Sequence, residues 1–386
     1  MIEQVLRLVA SAAPDLGKWL TLGLALLTVA MLQLWRGARS GNGWLTLCAL
    51  SRTLPLDETE KYRSKRLYRL LANSDLDGTE MTPLLVRLAV GSAHRGWVPI
   101  VVDQTDIRGT QVIMAGIRLA HRILPVAFVA YEYTKIRKSQ NIVENNLLKL
   151  IAASMPMGCK PLFVMDRGYA RASLLRLLRD LSLPYLVRGR RNTMVRIGQK
   201  RLALGRVRHR LRQPTRHGNV EYQDTAREKV DLIVFHDPDF KEPWYLLVPP
   251  GSEEQLPTHE VVALYRQRMH IELTFRDWKT HLGVRGLRLE ANIAPRLGRL
   301  LLALTTAYII AVLLGSGEVA GRVRKHCEVL RSKPRHGTRR RLGALSIGIL
   351  ALSLRRFGEL ADRALKRLLD ALIHGRAAAH LATSPP

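Results

Sequence analysis

Residues 97–133 read WVPIVVDQTDIRGTQVIMAGIRLAHRILPVAFVAYEY. Three apolar runs rich in β-branched residues, WVPIVVD (97–103), TQVIMAGIRLA (110–120) and LPVAFVAYEY (124–133), are separated by short turns. That pattern predicts three successive strands. Beyond them, NIVENNLLKLIAASM (141–155) has amphipathic-helix spacing, and PLFVMD (161–166) is a short apolar strand of the kind buried in mid-sheet. SLLRLLRDL (173–181) predicts a helix and PYLVRG (184–189) another strand.

Strand, strand, strand, helix, strand, helix, strand, and later one more helix, is an α/β succession. It predicts a ribonuclease H-like mixed sheet with helices on its faces. The interval 190–257 reads as an insertion. No acidic residue lies between Asp180 and Glu221, whereas Arg188 to Arg216 holds ten arginines and one lysine. DLIVFHD (231–237) and EPWYLLVPP (242–250) then return as strands, so the insertion is expected to be basic and β-rich. The expected organisation is a helical, DNA-binding N-terminal region at 1–95 and the first part of the core at 96–189. The insertion follows at 190–257, a helix completing the core at 258–298, and a helical C-terminal region at 299–386. A loop is expected at 331–341 and disorder in the last residues, HLATSPP.

Lys plus Arg is 61 and Asp plus Glu 32, a net charge of +29. Such a surplus points to a polyanionic partner that supplies counter-charge, with nucleic acid ahead of an anionic membrane. The three cysteines, Cys48, Cys159 and Cys327, have neither disulfide-framework nor zinc spacing, which fits a reducing, cytoplasmic setting. No secretory signal is evident at the start. Two apolar runs, 19–35 and 300–317, reach only the lower edge of a bilayer-spanning length. Basic residues flank the second on both sides, so both are read as buried helices and no membrane partner is expected.

After the Gly-rich break at 41–43, a short helix (44–54) is stopped by Pro55, and Asp57 with Glu60 suits a capping box. The next helix, over 60–71, carries Arg63, Lys65 and Arg66 as candidate DNA contacts.

YRQRMHIELTFRDWK (265–279) places Tyr265, Arg268, Glu272 and Lys279 within roughly a 60° arc of one helix. Leu264, Ile271, Phe275, Trp278 and Leu282 fall beside them as an edge for the core. Asp103 and Asp166 each stand where an apolar strand runs out, a position that faces the crevice beyond an α/β sheet. Asp106 is a rival for the first of these. Three carboxylates in a low dielectric call for divalent cations, and oxygen-only ligation suits two Mg²⁺ ions, with Mn²⁺ as a substitute. Arg268, Lys279 and Tyr265 suit phosphate contact.

These residues resemble a DDE transposase of the bacterial IS-four family. Tyr265, Arg268, Glu272 and Lys279 match that family's Y-(2)-R-(3)-E-(6)-K signature at every position. VVDQT (101–105) resembles its first-aspartate motif and MDRGY (165–169) its second, so the likeness spans about 97 to 285. Trp244 sits where hairpin-forming members have a tryptophan that stacks on a flipped base. Met269, by contrast, replaces a second aromatic found just after the arginine in some of them.

The resemblance implies an enzyme that cleaves the inverted-repeat ends of its own element and joins the 3′ ends to target DNA. Asp103, Asp166 and Glu272 would be its metal ligands and catalytic set. It also implies double-stranded DNA as partner, a homodimer on DNA and a bacterial cytoplasmic, nucleoid-associated location. The rivals are a transposase-derived DNA-binding protein without catalysis and a ribonuclease H-like nuclease that only hydrolyses.

Overall fold

Five helices lead the described chain: α1 (Ile2–Ala12), α2 (Lys18–Gly37), α3 (Leu47–Thr53), α4 (Glu60–Ala72) and α5 (Thr82–Val90). In the computed structural model the described residues are 1–37, 45–76, 81–90, 96–119, 121–135, 139–290, 293–328 and 341–374. The Gly-rich break at 41–43, all but the last residue of the loop expected at 331–341, and the final HLATSPP lie outside them.

The three expected strands form an antiparallel meander of β1 (Gly96–Ile107), β2 (Thr110–Leu119) and β3 (Arg122–Tyr131). β1 does not end at Asp103. Its antiparallel pairing with β2 continues to Ile107 opposite Thr110, so the strand is held well past the aspartate. The turn between them, Arg108 and Gly109, has positive φ at both positions, 53° and 85°. That is the mirror-image turn whose twist matches the flanking strands.

α6 (Gln140–Ala153) leads into β4 (Cys159–Met165), which pairs parallel to β1. α7 (Ala172–Asp180) leads into β5 (Tyr185–Arg188), parallel to β4. The arginine-rich interval contributes β6 (Met194–Ile197), β7 (Lys200–Ala203), β8 (Thr215–Tyr222), β9 (Glu228–Phe235) and β10 (Trp244–Val248). Because β10 pairs with β5, these strands extend the core sheet instead of forming a second one. The order is β3-β2-β1-β4-β5-β10-β9-β8-β6-β7. Part of the basic run is structural: Arg216 of β8 is buried against Asp231 of β9 at 2.8 Å.

The helix expected around residues 265–279 is broken into three pieces. α8 (Thr258–Arg268) ends at Met269, α9 (His270–Arg276) follows, and Asp277–His281 forms a π-turn. Two successive residues of this turn, Asp277 and Trp278, are both buried, at 1 % and 0 % exposure.

The chain closes with α10 (Ile293–Ser316), α11 (Val319–Cys327), α12 (Ala344–Ser353) and α13 (Gly358–Ile373). α2 and α10 are long and apolar enough to cross a membrane, yet 72 % and 94 % of their most apolar windows are buried inside the protein. α10 packs on α2, α12 and β3, so its apolarity serves the core. Its crossing with α12 is close: a Cβ at Gly315 would lie 1.9 Å from the Ala344 carbonyl oxygen, and one at Gly348 2.0 Å from that of Ala311. Only glycine permits that approach. The mixed sheet with helical regions before and after it is the α/β architecture expected of a ribonuclease H-like transposase core.

Candidate active site

Parallel pairing of β1 with β4 runs to Val102 opposite Met165. Asp103 and Asp166 are the next residue on each strand, and so emerge side by side where the paired segment ends. This is the carboxyl end of parallel strands, where open α/β sheets place their sites. Asp106, the rival, lies an odd number of residues from Asp103 and faces the other side of the sheet. Its carboxylate accepts from the Gly109 N–H at 3.2 Å and from Gln111 Nε2 at 2.8 Å, so it braces the β1–β2 turn.

α8 lays two further residues onto the aspartates. The Tyr265 hydroxyl donates to Asp166 Oδ1 at 3.0 Å. Arg268 Nη1 donates to Asp103 Oδ2 at 2.7 Å, while the Gln104 backbone N–H donates to Asp103 Oδ1 at 2.8 Å. The Arg268 guanidinium also stacks over the Tyr265 ring, 5.6 Å from its centroid. Both side chains are buried. As placed, Tyr265 and Arg268 hold carboxylates, where the sequence reading had them reaching for phosphates.

The two aspartates have opposite electrostatic settings. Burial raises Asp103 above the ordinary carboxylate range; Arg268 opposes this, and the neighbouring Asp166 charge adds to it. Burial pushes Asp166 up too, but Arg268, the Arg167 backbone N–H, the Tyr265 hydroxyl and Arg188 together hold it below the ordinary range. Arg188, at the end of β5, was not singled out in the sequence, where it is one of many arginines.

Glu272 lies one helical turn beyond Arg268, with Oε1 4.0 Å from Arg268 Nη2 and its side chain 61 % exposed. The guanidinium therefore stands between the two aspartates on one side and the glutamate on the other. Among the described residues no three His, Cys, Asp or Glu side chains converge closely enough to hold an ion. The donor chemistry nevertheless fits a hard cation: the carboxylates are oxygen-only ligands, and Glu272 is free to turn. Lys279, on the π-turn, is half-buried. Burial lowers its pKa first, and the Arg285 charge lowers it further, while Asp106 raises it.

Trp244 is not at the surface. At 3 % exposure it packs against Phe240, Phe235 and Tyr265, with ring centroids 4.8, 5.8 and 5.0 Å away. To stack on a base the indole would have to leave this cluster. On α4, Arg63 donates to the Arg52 carbonyl at 3.0 Å and Arg66 to Glu58 at 3.4 Å. Lys65 is exposed, and so are its neighbours Lys61, Tyr62, Tyr68 and Arg69. The outward face of this helix is thus offset from the one expected, because Leu67, Leu70 and Leu71 turn the other side inward.

A network that the sequence did not suggest fixes the segment after Glu272. Arg122 Nε donates to the buried Asp277 at 2.6 Å, and the Tyr308 hydroxyl donates to the same oxygen at 3.1 Å. Thr274 bonds the Ile123 N–H and carbonyl, at 3.1 and 2.9 Å. These contacts attach α9 and the π-turn to β3 and α10. The partners are more than 30 residues apart, so no local spacing announces them.

Residues 121–309 match the family model described as Transposase DDE domain, which supports a DDE transposase and implies DNA as its substrate. The matched segment holds Asp166, Trp244, Tyr265, Arg268, Glu272 and Lys279; Asp103 precedes it. No curated protein matches the chain.

Proposed function

We propose that this protein is a transposase of the IS-four type, cutting DNA at the ends of its element and joining the freed 3′ ends to a target. Asp103, Asp166 and Glu272 are its metal ligands. The observation that carries this reading is the emergence of Asp103 and Asp166 side by side beneath α8, which bears Tyr265 and Arg268, with Glu272 following at the start of α9.

Asp103 and Asp166 would hold Mg²⁺ or Mn²⁺ with Glu272 turned inward. Two such ions, when bound, would activate the attacking oxygen and stabilise the leaving one. Tyr265 orients Asp166, and Arg268 balances the charge of Asp103. Lys279 takes a phosphate oxygen at the rim of the site. Water attacks the terminal phosphodiester, releasing a 3′ hydroxyl that later attacks the target by the same in-line displacement. The exposed face of α4 binds duplex DNA, two copies hold two ends, and excision is cut-and-paste. The protein works in the bacterial cytoplasm on the nucleoid. Trp244 supports Tyr265 from the core in this reading.

Cleavage and strand-transfer assays with Mg²⁺ test it, run on DNA carrying the inverted repeats that flank the gene. Wild type should produce both products. Asp103→Ala, Asp166→Ala and Glu272→Ala should each abolish both while DNA binding persists, because each removes a ligand and not a DNA contact. Cleavage without joining would make the protein a nuclease. Binding without either would leave a DNA-binding protein, and undiminished cleavage by Asp103→Ala would end the ligand assignment.

A further inference from the structure

Glu144 of α6 is buried, at 4 % exposure, and its two oxygens are bound by groups that lead to the two candidate aspartate ligands. Oε2 pairs with Arg171, the residue just before α7 in the short segment that follows Asp166. Arg171 is anchored in that segment: its N–H donates to the Tyr169 carbonyl at 2.8 Å, and its carbonyl accepts the Leu174 N–H at 3.0 Å. Its Nη2 also donates to Asn145 Oδ1 at 3.1 Å, so two consecutive residues of α6 grip the guanidinium. Glu144 Oε1 accepts from Gln140 Nε2 at 2.7 Å, and the same Nε2 donates to Gln104 Oε1 at 2.8 Å. Gln104 follows Asp103 on β1, and its backbone N–H holds Asp103 Oδ1 at 2.8 Å. Successive strand residues face opposite sides of the sheet, so Glu144 reaches Asp103 from behind. The amides between have one polarity. Gln104 Nε2 donates to Gln111 Oε1, and Gln111 Nε2 to Asp106 Oδ2, both at 2.8 Å. The carboxylate at each end only accepts, so no single amide can flip without setting like groups face to face. The Tyr133 hydroxyl closes a ring, accepting from Gln104 and donating to Gln140 Oε1, both at 3.0 Å. Burial pushes the Tyr169 hydroxyl well above its ordinary range, and the charges of Glu144 and Asp103 push it further, so this phenol stays neutral beside both carboxylates.

We propose that Glu144 is a positioning residue for the candidate metal site: by holding Gln104 and Arg171 from one helix it sets the spacing of Asp103 and Asp166. This rests on the transposase reading and adds to it a residue outside the three candidate ligands. Stability alone does not call for an ion pair buried this deeply, since an apolar pair of similar volume is often as stable. What apolar side chains would not supply is direction. The parallel pairing of β1 with β4 stops one residue before the aspartates, so ladder hydrogen bonds no longer fix their separation. Glu144 spans that gap with one arm to the Gln104 peptide and one to the segment after Asp166. Mg²⁺ demands near-ideal octahedral geometry, so an error in the spacing weakens its binding.

The test is a titration of Mn²⁺ followed by the melting temperature and, over the same range, by DNA cleavage. Glu144→Gln leaves Arg171 unpaired and should melt below wild type, whereas Glu144→Leu/Arg171→Met removes both charges and should melt close to it. Both variants should need roughly tenfold more Mn²⁺ than wild type for half of the full melting shift and for half-maximal cleavage. Gln140→Leu cuts only the arm to Gln104, keeps the ion pair, and should move the Mn²⁺ midpoint in the same direction by less. A wild-type midpoint in the double variant would overturn the proposal, because the ion pair would then serve stability alone. An unmoved midpoint in Gln140→Leu would overturn it as well. A wild type whose melting ignores Mn²⁺ would remove the ligand assignment and this proposal with it. Midpoints that move as expected in a protein that never cleaves would count against the catalytic reading alone.

Discussion

Arg268 Nη1 lies 2.7 Å from Asp103 Oδ2, and only 8 % of the arginine side chain is exposed. An internal cation thus neutralises the carboxylates on which the metal reading rests, and holds Asp103 in place before any ion arrives.

Removing that cation should cost stability in a pH-dependent way. Asp103 titrates above its ordinary range, so its contribution declines as pH rises through that range; Asp166, held below, contributes more as pH rises. Arg268 lowers both, so Arg268→Ala raises both and makes the folded state bind protons more tightly. The deficit against wild type should be small near pH 4 and grow to about 1–3 kcal/mol near pH 7. Urea melts at both pH values check this, and a deficit independent of pH would disprove it. Added Mn²⁺ should recover more of the melting temperature in the variant than it adds to wild type.

Trp244→Ala should empty a site packed between Phe240 and Tyr265, at a cost of about 3–5 kcal/mol. Tyr265 then loses the wall that aims it at Asp166. Nicking and second-strand release should fall together, with a lowered melting point, while Trp244→Phe keeps most of both. Loss of second-strand release alone, at an unchanged melting point, would instead put the indole on the DNA.

The Arg122–Asp277 pair is buried, with side chains 14 % and 2 % exposed. Asp277→Ala leaves a guanidinium without its partner and should cost about 3–5 kcal/mol. Tyr308→Phe removes one hydrogen bond and should cost about 1–2 kcal/mol. Equilibrium denaturation of both variants tests the order, and equal costs would show that Arg122 does not depend on Asp277.

On α4, Lys61→Ala/Lys65→Ala/Arg69→Ala should weaken duplex binding and lower its salt slope by about three units. Arg63→Ala should lower the melting point and leave the slope unchanged, since Arg63 is occupied by the Arg52 carbonyl. A reversed pattern, with the slope following Arg63, would relocate the DNA face.

Local order was legible in the residues themselves. Alternating and continuous apolar runs marked β1, β4 and β5, and the ends of two such runs singled out Asp103 and Asp166. Spacing along one helix joined Tyr265, Arg268 and Glu272, because side chains three and four residues apart must share a face. Three-dimensional packing decided the rest. No spacing in one chain states that β10 pairs with β5, that Trp244 turns inward, or which face of α4 its leucines bury. Nor does it state that Arg268 meets Asp103 across 165 residues. Strand and helix periods are local properties of the backbone, whereas charge compensation and burial depend on which distant surfaces meet.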